Sequence, residues 1–204
     1  LLGLIKPDSG SIKINNKEIY DKNLKYLKKN KPKIGMLFQG GALFDSLPIW
    51  KNVGFTSLQN KVSEKICKIK AVQTLEKVGL GSEISDLFPS EISGGMQKRV
   101  ALARAIFPEP NIIFFDEPTT GLDPISADVI NKLILEKVKD LGATALTITH
   151  DMASARTIAN KVYMLHQGKI IWNGNVNELE KTDNKFILQF IKGESNGPIK
   201  LHNN

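Results

Sequence analysis

Hydrophobic positions follow different periods along the chain. Ile12 and Ile14 alternate with polar residues, Asn15-Asn16 marks a turn and Glu18-Ile19-Tyr20 follows. This predicts a small hairpin after the turn Pro7-Asp8-Ser9-Gly10. Lys33–Phe38 reads as a strand through Ile34, Met36, Leu37 and Phe38, ending at Gln39-Gly40-Gly41, where two glycines free the backbone. Residues 42–97 then form a helical subdomain without strand signal. Pro48, Ile49, Trp50 and Val53 make a short amphipathic piece. Ser63 to Val78 carries Ile66, Ile69, Val72, Leu75 and Val78 at helical spacing, and Ser82 to Phe88 is a second short apolar stretch.

From Ser93 the elements alternate. Gly94–Phe107 is Ala-rich and helical and halts at Pro108 and Pro110. Ile112-Ile113-Phe114-Phe115 is the run expected of a strand buried on both faces. Asp123 can cap a helix from Pro124, lined on one side by Ile125, Val129, Leu133 and Val138 and ended by Gly142. Thr144–Thr149 is a strand with His150 at its tip, Asp151–Ala159 a short helix, and Val162–Leu165 with Lys169–Trp172 a hairpin. Strand alternating with helix predicts an α/β fold with a parallel sheet. The polar tail 193–204 is expected to be loosely ordered. The opening Leu1-Leu2-Gly3-Leu4-Ile5 lacks an initiator Met and reads as a piece that begins inside a helix.

Composition narrows the class. The chain has 204 residues, 41% hydrophobic and 24% charged. At about 150 residues per domain that allows one domain with a subdomain. Cys67 is the single cysteine, which fits a reducing compartment. No apolar run approaches the roughly 20 residues that span a bilayer. Collagen, coiled coil, membrane span and disulfide scaffold are excluded. The net charge of +7 is partly local: Lys22, Lys25, Lys28, Lys29, Lys31 and Lys33 form a run without acids. Aromatic residues do not interleave with it in a stacking pattern, Tyr26 standing alone, so the expectation is a solvated lysine surface and no nucleic-acid partner.

Candidate chemistry sits at element ends. The strand Ile112–Phe115 delivers Asp116 and Glu117 to the carboxyl edge of a parallel sheet, where ligands sit in open α/β folds. Asp116 is placed to hold Mg²⁺ and Glu117 to orient and deprotonate a water. Ser93-Gly94-Gly95-Met96-Gln97 opens a helix and can bind an anion through free backbone N–H groups. Each feature has a plain alternative: chance carboxylates, an ordinary N-cap, a surface His150 or Gln39, and Asp123 as a cap alone.

The order of the features is more specific. Gln39, Ser93-Gly94-Gly95, Asp116-Glu117, Gly121-Leu122-Asp123 and His150 follow one another, with 33 residues from Glu117 to His150. This resembles the nucleotide-binding domain of ABC transporter ATPases, from Leu1 to about Asn175. The resemblance implies a P-loop NTPase-like parallel sheet with a helical subdomain. Its cofactors would be ATP and Mg²⁺, with Gln39 of the Q-loop and Asp116 of Walker B at the metal. It further implies Glu117 as catalytic base, His150 as the switch histidine and Ser93, Gly94, Gly95 and Gln97 as the signature that acts on nucleotide of the opposite subunit. Asp123 is then the D-loop aspartate at the dimer interface. The motif departs from the usual Leu-Ser-Gly-Gly-Gln in carrying Met96, and no G-x-x-x-x-G-K-[ST] occurs in the sequence. The expectation is a domain incomplete at its N-terminus and inactive alone; the alternatives are a non-transport ABC ATPase and an inactive regulatory module. Gly35–Leu47 looks like the ATPase of Mla-type phospholipid transport systems. That implies a homodimer at the cytoplasmic face of the bacterial inner membrane, docked on a permease through the surface around Phe44–Val53.

Overall fold

A computed structural model describes residues 2–20 and 32–200. Most of the lysine run, Lys22 to Lys31, lies outside the described residues, as do 201–204. Strands β1 (Lys13–Ile14) and β2 (Lys17–Glu18) pair antiparallel as the predicted hairpin, turned by Asn15 and Asn16, both at positive φ. The opening residues depart from expectation: Leu2–Ile5 is bend and coil, and Gly3 at φ 79° is incompatible with a helix.

The central sheet is parallel, ordered β3 (Ile34–Leu37), β4 (Ile112–Asp116), β5 (Thr144–Ile148). Leu37 pairs with Phe115, and Asp116 with Ile148. Helices α1 (Ile49–Val53), α2 (Phe55–Gln59), α3 (Glu64–Glu76) and two 3₁₀ turns (Ser82–Ile84, Pro89–Glu91) form the predicted helical region leading into α4 (Gly94–Ile106). Then come α5 (Pro124–Leu141), α6 (Met152–Ile158), an antiparallel pair β6 (Lys161–His166) and β7 (Lys169–Asn175), and α7 (Lys185–Lys192).

One core cluster joins Leu37, Ile113 and Phe115 to α1, α3, α4 and to Ile130 and Ile134 of α5. Its composition corrects several expectations about faces. Ile113 and Phe115 are buried while Ile112 and Phe114 are half-buried, because the packed helices cover one face of β4. In α3 the first part of the expected stripe is turned outward, with Ile66 62% and Ile69 54% exposed, whereas Leu75 and, just past the helix, Val78 are buried as expected, joined by Cys67, Ala71 and Thr74. Gly54 explains the preference. A Cβ there would collide with the Cys67 sulfur, so the chain approaches α3 on its small-residue side. In α5 the buried stripe is Ile130, Asn131, Ile134 and Lys137, about one position round from the predicted one, and Ile125 is 79% exposed.

The region after Gln39 divides likewise. Ile49, Trp50 and Val53 are core, so they cannot be a docking surface. Phe44 remains on the surface, against the Phe55 ring at 4.5 Å, and Leu47 is half-buried. Asn52, fully buried, donates to the carbonyls of Phe44 (3.1 Å) and Leu47 (2.9 Å) and accepts from the Phe44 N–H (2.7 Å), shaping this loop. The tail is more tied down than expected through residue 200: Gln189 of α7 donates to the carbonyl of Ile199 (3.0 Å) and accepts from its N–H (2.7 Å). Among the described residues no helix is long and apolar enough to cross a membrane.

Candidate functional site

The site is built where β3, β4 and β5 end together. Parallel pairing in register brings Asp116 beside Ile148, and the Glu117 N–H continues the ladder to the Ile148 carbonyl at 2.9 Å. Two residues further, His150 lies within reach of Glu117. The His150 Nδ1 to Glu117 Oε1 distance is 2.8 Å, and Thr120 donates its hydroxyl to Oε2 at 2.9 Å. Glu117 adopts φ 47°, a left-handed conformation uncommon outside glycine and typical of functional turns.

Charge is stabilised in this pair. Burial opposes ionisation of Glu117, but hydrogen bonds from His150 and Thr120 outweigh it and hold the carboxyl below its ordinary value. The hydrogen bond to Glu117, then its negative charge, raise the pKa of His150 above 6.5. The Glu117 side chain is largely covered, whereas that of His150 is exposed and free to turn toward an approaching group.

Behind the pair lies a buried polar network that sequence reasoning missed. Ser154, fully buried on α6, donates to Asp151 Oδ2 at 2.6 Å, accepts from Asn131 at 2.9 Å and meets the Thr119 hydroxyl at 3.1 Å. Asp151 also caps α6 through the N–H groups of Ala153 and Ser154. The network joins the turn after Glu117 to the turn carrying His150. The one local sign was Asp151 three residues before Ser154, a capping pattern.

Gln39 is exposed at the end of β3. Its loop is anchored by the Arg104 guanidinium, which donates to the carbonyls of Gly41 (2.6 Å) and Ala42 (2.8 Å). By the β3–β4 register Gln39 stands at the level of Glu117. Gln39 and Asp116 therefore share one edge.

Ser93–Gln97 stands apart from this edge. Ser93 caps α4, accepting from the Met96 N–H at 3.3 Å. Gly94 and Gly95 are open above: a Cβ on either would meet no atom within 4 Å, which leaves room for a group to approach the helix end. Ser93 and Gly95 line a cavity of about 410 Å³ with Arg99, Ile125 and Ser126. His150 lines a different one of about 560 Å³ with Thr120 and Asp151. Gln97 points back rather than toward the glycines, donating to the carbonyls of Pro89 (2.9 Å) and Ile92 (3.3 Å). Asp123 accepts from the Ile125 and Ser126 N–H groups, both at 3.0 Å, and thus caps α5 between the two cavities. The fold gathers Gln39, Asp116, Glu117 and His150 and holds Ser93–Gln97 elsewhere.

Known proteins resemble this chain along most of its length. A family model described as ABC transporter matches residues 1–120. The ATP-binding protein MlaF of the intermembrane phospholipid transport system of Haemophilus influenzae is 37% identical over 200 residues, covering 98% of this chain and 75% of that protein. The probable ribonucleotide transport ATP-binding protein mkl of Mycobacterium leprae is 37% identical over 203 residues, and the match spans 58% of its length. Among solved structures, the dimeric post-hydrolysis state of the ATP-binding cassette MJ0796, bound to ADP and Pi, superimposes with a TM-score of 0.70 at 29% identity. It covers 85% of this chain and 76% of the other. With the carboxylate–histidine pair, the glycine-opened helix and these relatives in agreement, the chain belongs to the ABC transporter family, among its ATP-binding cassettes.

Proposed function

We propose that the protein hydrolyses ATP as a homodimer and drives a membrane permease that moves phospholipid between the inner and outer membranes, from the cytoplasmic face of the inner membrane. The phospholipid assignment rests on the likeness to MlaF, whose name states that substrate. The observation that carries the catalytic reading is the Glu117–His150 pair at the carboxyl edge of the sheet, with the Ser93–Gly95 helix end facing a separate cavity. A single chain so arranged leaves its signature helix end for a nucleotide held by a second copy.

The donor set fits Mg²⁺. Asp116 and Gln39 offer one carboxylate and one amide oxygen on one edge, and the described residues contain no group of three or more His, Cys, Asp or Glu that could cage a metal. Mg²⁺ is commonly held this way, by one or two protein oxygens with phosphate and water completing its shell. When bound it would neutralise phosphate charge. Glu117, kept ionised by its partners, takes a proton from the attacking water. His150, exposed and on a strand tip, turns from Glu117 to donate to the γ-phosphate. Ser93 and the N–H groups of Gly94 and Gly95 donate to phosphate oxygens of the opposite copy, while Gln97 holds the 89–92 loop that positions Ser93. Asp123 fixes the α5 end at the junction between copies.

The test is Glu117→Gln in the protein expressed from its complete reading frame with its membrane subunits in vesicles. Hydrolysis should fall roughly 10²–10⁴-fold with ATP binding retained, and ATP-dependent phospholipid movement should stop. Turnover within about twofold of the parent would remove Glu117 as base. ATP hydrolysis without phospholipid movement in the parent would refute the substrate.

A further inference from the structure

Lys98 is a lysine in a core position. It lies on the stripe of α4 that also carries Ala101, Leu102 and Ala105, is 6% exposed, and its Nζ is out of solvent with no hydrogen-bond partner. An ammonium placed there is expensive unless something answers it.

Its surroundings follow from the way α4 lies on β3. Gly35, at the start of β3, is against the Ala105 carbonyl, and Gly41, beyond its end, is against Ala101 and the Gln97 carbonyl. Helix and strand therefore run in opposite directions. Seven residues from Ala105 back to Lys98 is about 10 Å of helix, and three or four residues beyond Gly35 is about 10–13 Å of strand. Lys98 thus reaches the level of Phe38 and Gln39. By the pairing of Leu37 with Phe115, that is also the level of Asp116 and Glu117. α4 packs on β3, and its buried residues share one core cluster with Ile113 and Phe115 of β4, so Lys98 lies in the layer beneath the end of β4. Burial lowers the pKa of Lys98, and the negative charge of Glu117 opposes the fall, as expected if the two groups are neighbours across this layer.

Glu117 is meanwhile occupied on its outer side, by His150 and Thr120. We infer that Lys98 is a positioning residue for Glu117, an inner partner that takes up the carboxylate when His150 turns away toward nucleotide. Without it, the departure of an exposed histidine would release the carboxylate at the moment its aim matters. With it, Glu117 exchanges one cationic partner for another and stays ionised and oriented. This rests on Glu117 being the base.

The test uses the protein expressed from its complete reading frame and has two readouts. The first is a urea double-mutant cycle between Lys98→Met and Glu117→Gln, run in the parent and in a His150→Ala background. Coupling should be small in the parent and grow to a midpoint shift of about 0.3 M or more once His150 is gone. Zero coupling in the His150→Ala background overturns the inference. The second is steady-state hydrolysis: Lys98→Met should lower kcat roughly tenfold with KM within about twofold, and Lys98→Arg should restore most of it. A kcat within about twofold of the parent for Lys98→Met overturns the inference too. Should Lys98→Met fail to fold, Lys98→Gln takes its place in both measurements. Loss of turnover in Glu117→Gln with none in Lys98→Met sinks the inference alone, whereas retained turnover in Glu117→Gln sinks the base reading beneath it.

Discussion

Ser154→Ala should destabilise the protein far more than the loss of one small hydroxyl suggests. Ser154 is fully buried, and its Oγ is the shared atom of three contacts: to Asp151 at 2.6 Å, from Asn131 at 2.9 Å and with Thr119 at 3.1 Å. Asn131 is also buried, and its Oδ1 already lacks a partner, so the substitution strips the Asn131 side chain of its one contact here. A buried polar group left unpaired costs about 1–3 kcal/mol. Thr119 is buried as well and loses its side-chain partner, adding a similar amount at the low end of that range. Asp151 is half-exposed and keeps its two backbone donors, so its loss is small. The sum is about 3 kcal/mol, discounted for water entering the gap. At a urea m-value of about 2 kcal/mol/M the midpoint should fall by roughly 1.5 M with m unchanged. The assay is equilibrium urea unfolding followed by tryptophan fluorescence, with Thr157→Ala as a control, because Thr157 is exposed on the same helix and donates only to the Ala153 carbonyl. A midpoint shift below about 0.3 M would refute the claim that this hydroxyl holds the α5–α6 junction together.

His150 should titrate above 6.5 by NMR and return toward that value in Glu117→Gln. Because its folded pKa is raised, the stability it adds is fully present below the unfolded value and is lost as pH rises through the folded one. An identical His150 titration in parent and Glu117→Gln would refute the pairing. Phe44→Ala with Leu47→Ala should weaken capture of the membrane subunits by roughly 2 kcal/mol, about 30-fold, while leaving the melting temperature near that of the parent. The expectation follows from Phe44 standing on the surface where Ile49 and Trp50 are core. Undiminished capture by the folded double variant would place the interface elsewhere.

Local sequence determined the elements and their ends. A strand ending in Asp116-Glu117, another ending at His150, Asp123 ahead of Pro124 and Ser93 ahead of two glycines are all read from propensity and capping, which act within a few residues. Those elements formed near the expected bounds. What touches what was decided in three dimensions. α3 and α5 carry enough apolar residues to bury more than one face, and the choice fell to neighbours: Gly54 admits the Cys67 side of α3, and packing against α4 and α6 selects Ile130 and Ile134 over Ile125. The Glu117–His150 contact spans 33 residues and exists because β4 and β5 pair in register. Gln97 turning to the 89–92 loop, Ser154 joining two turns and Lys98 buried on α4 leave no periodic trace. Helical and strand periods constrain neighbours along the chain, while these contacts depend on sheet register and helix packing, which couple residues distant in sequence.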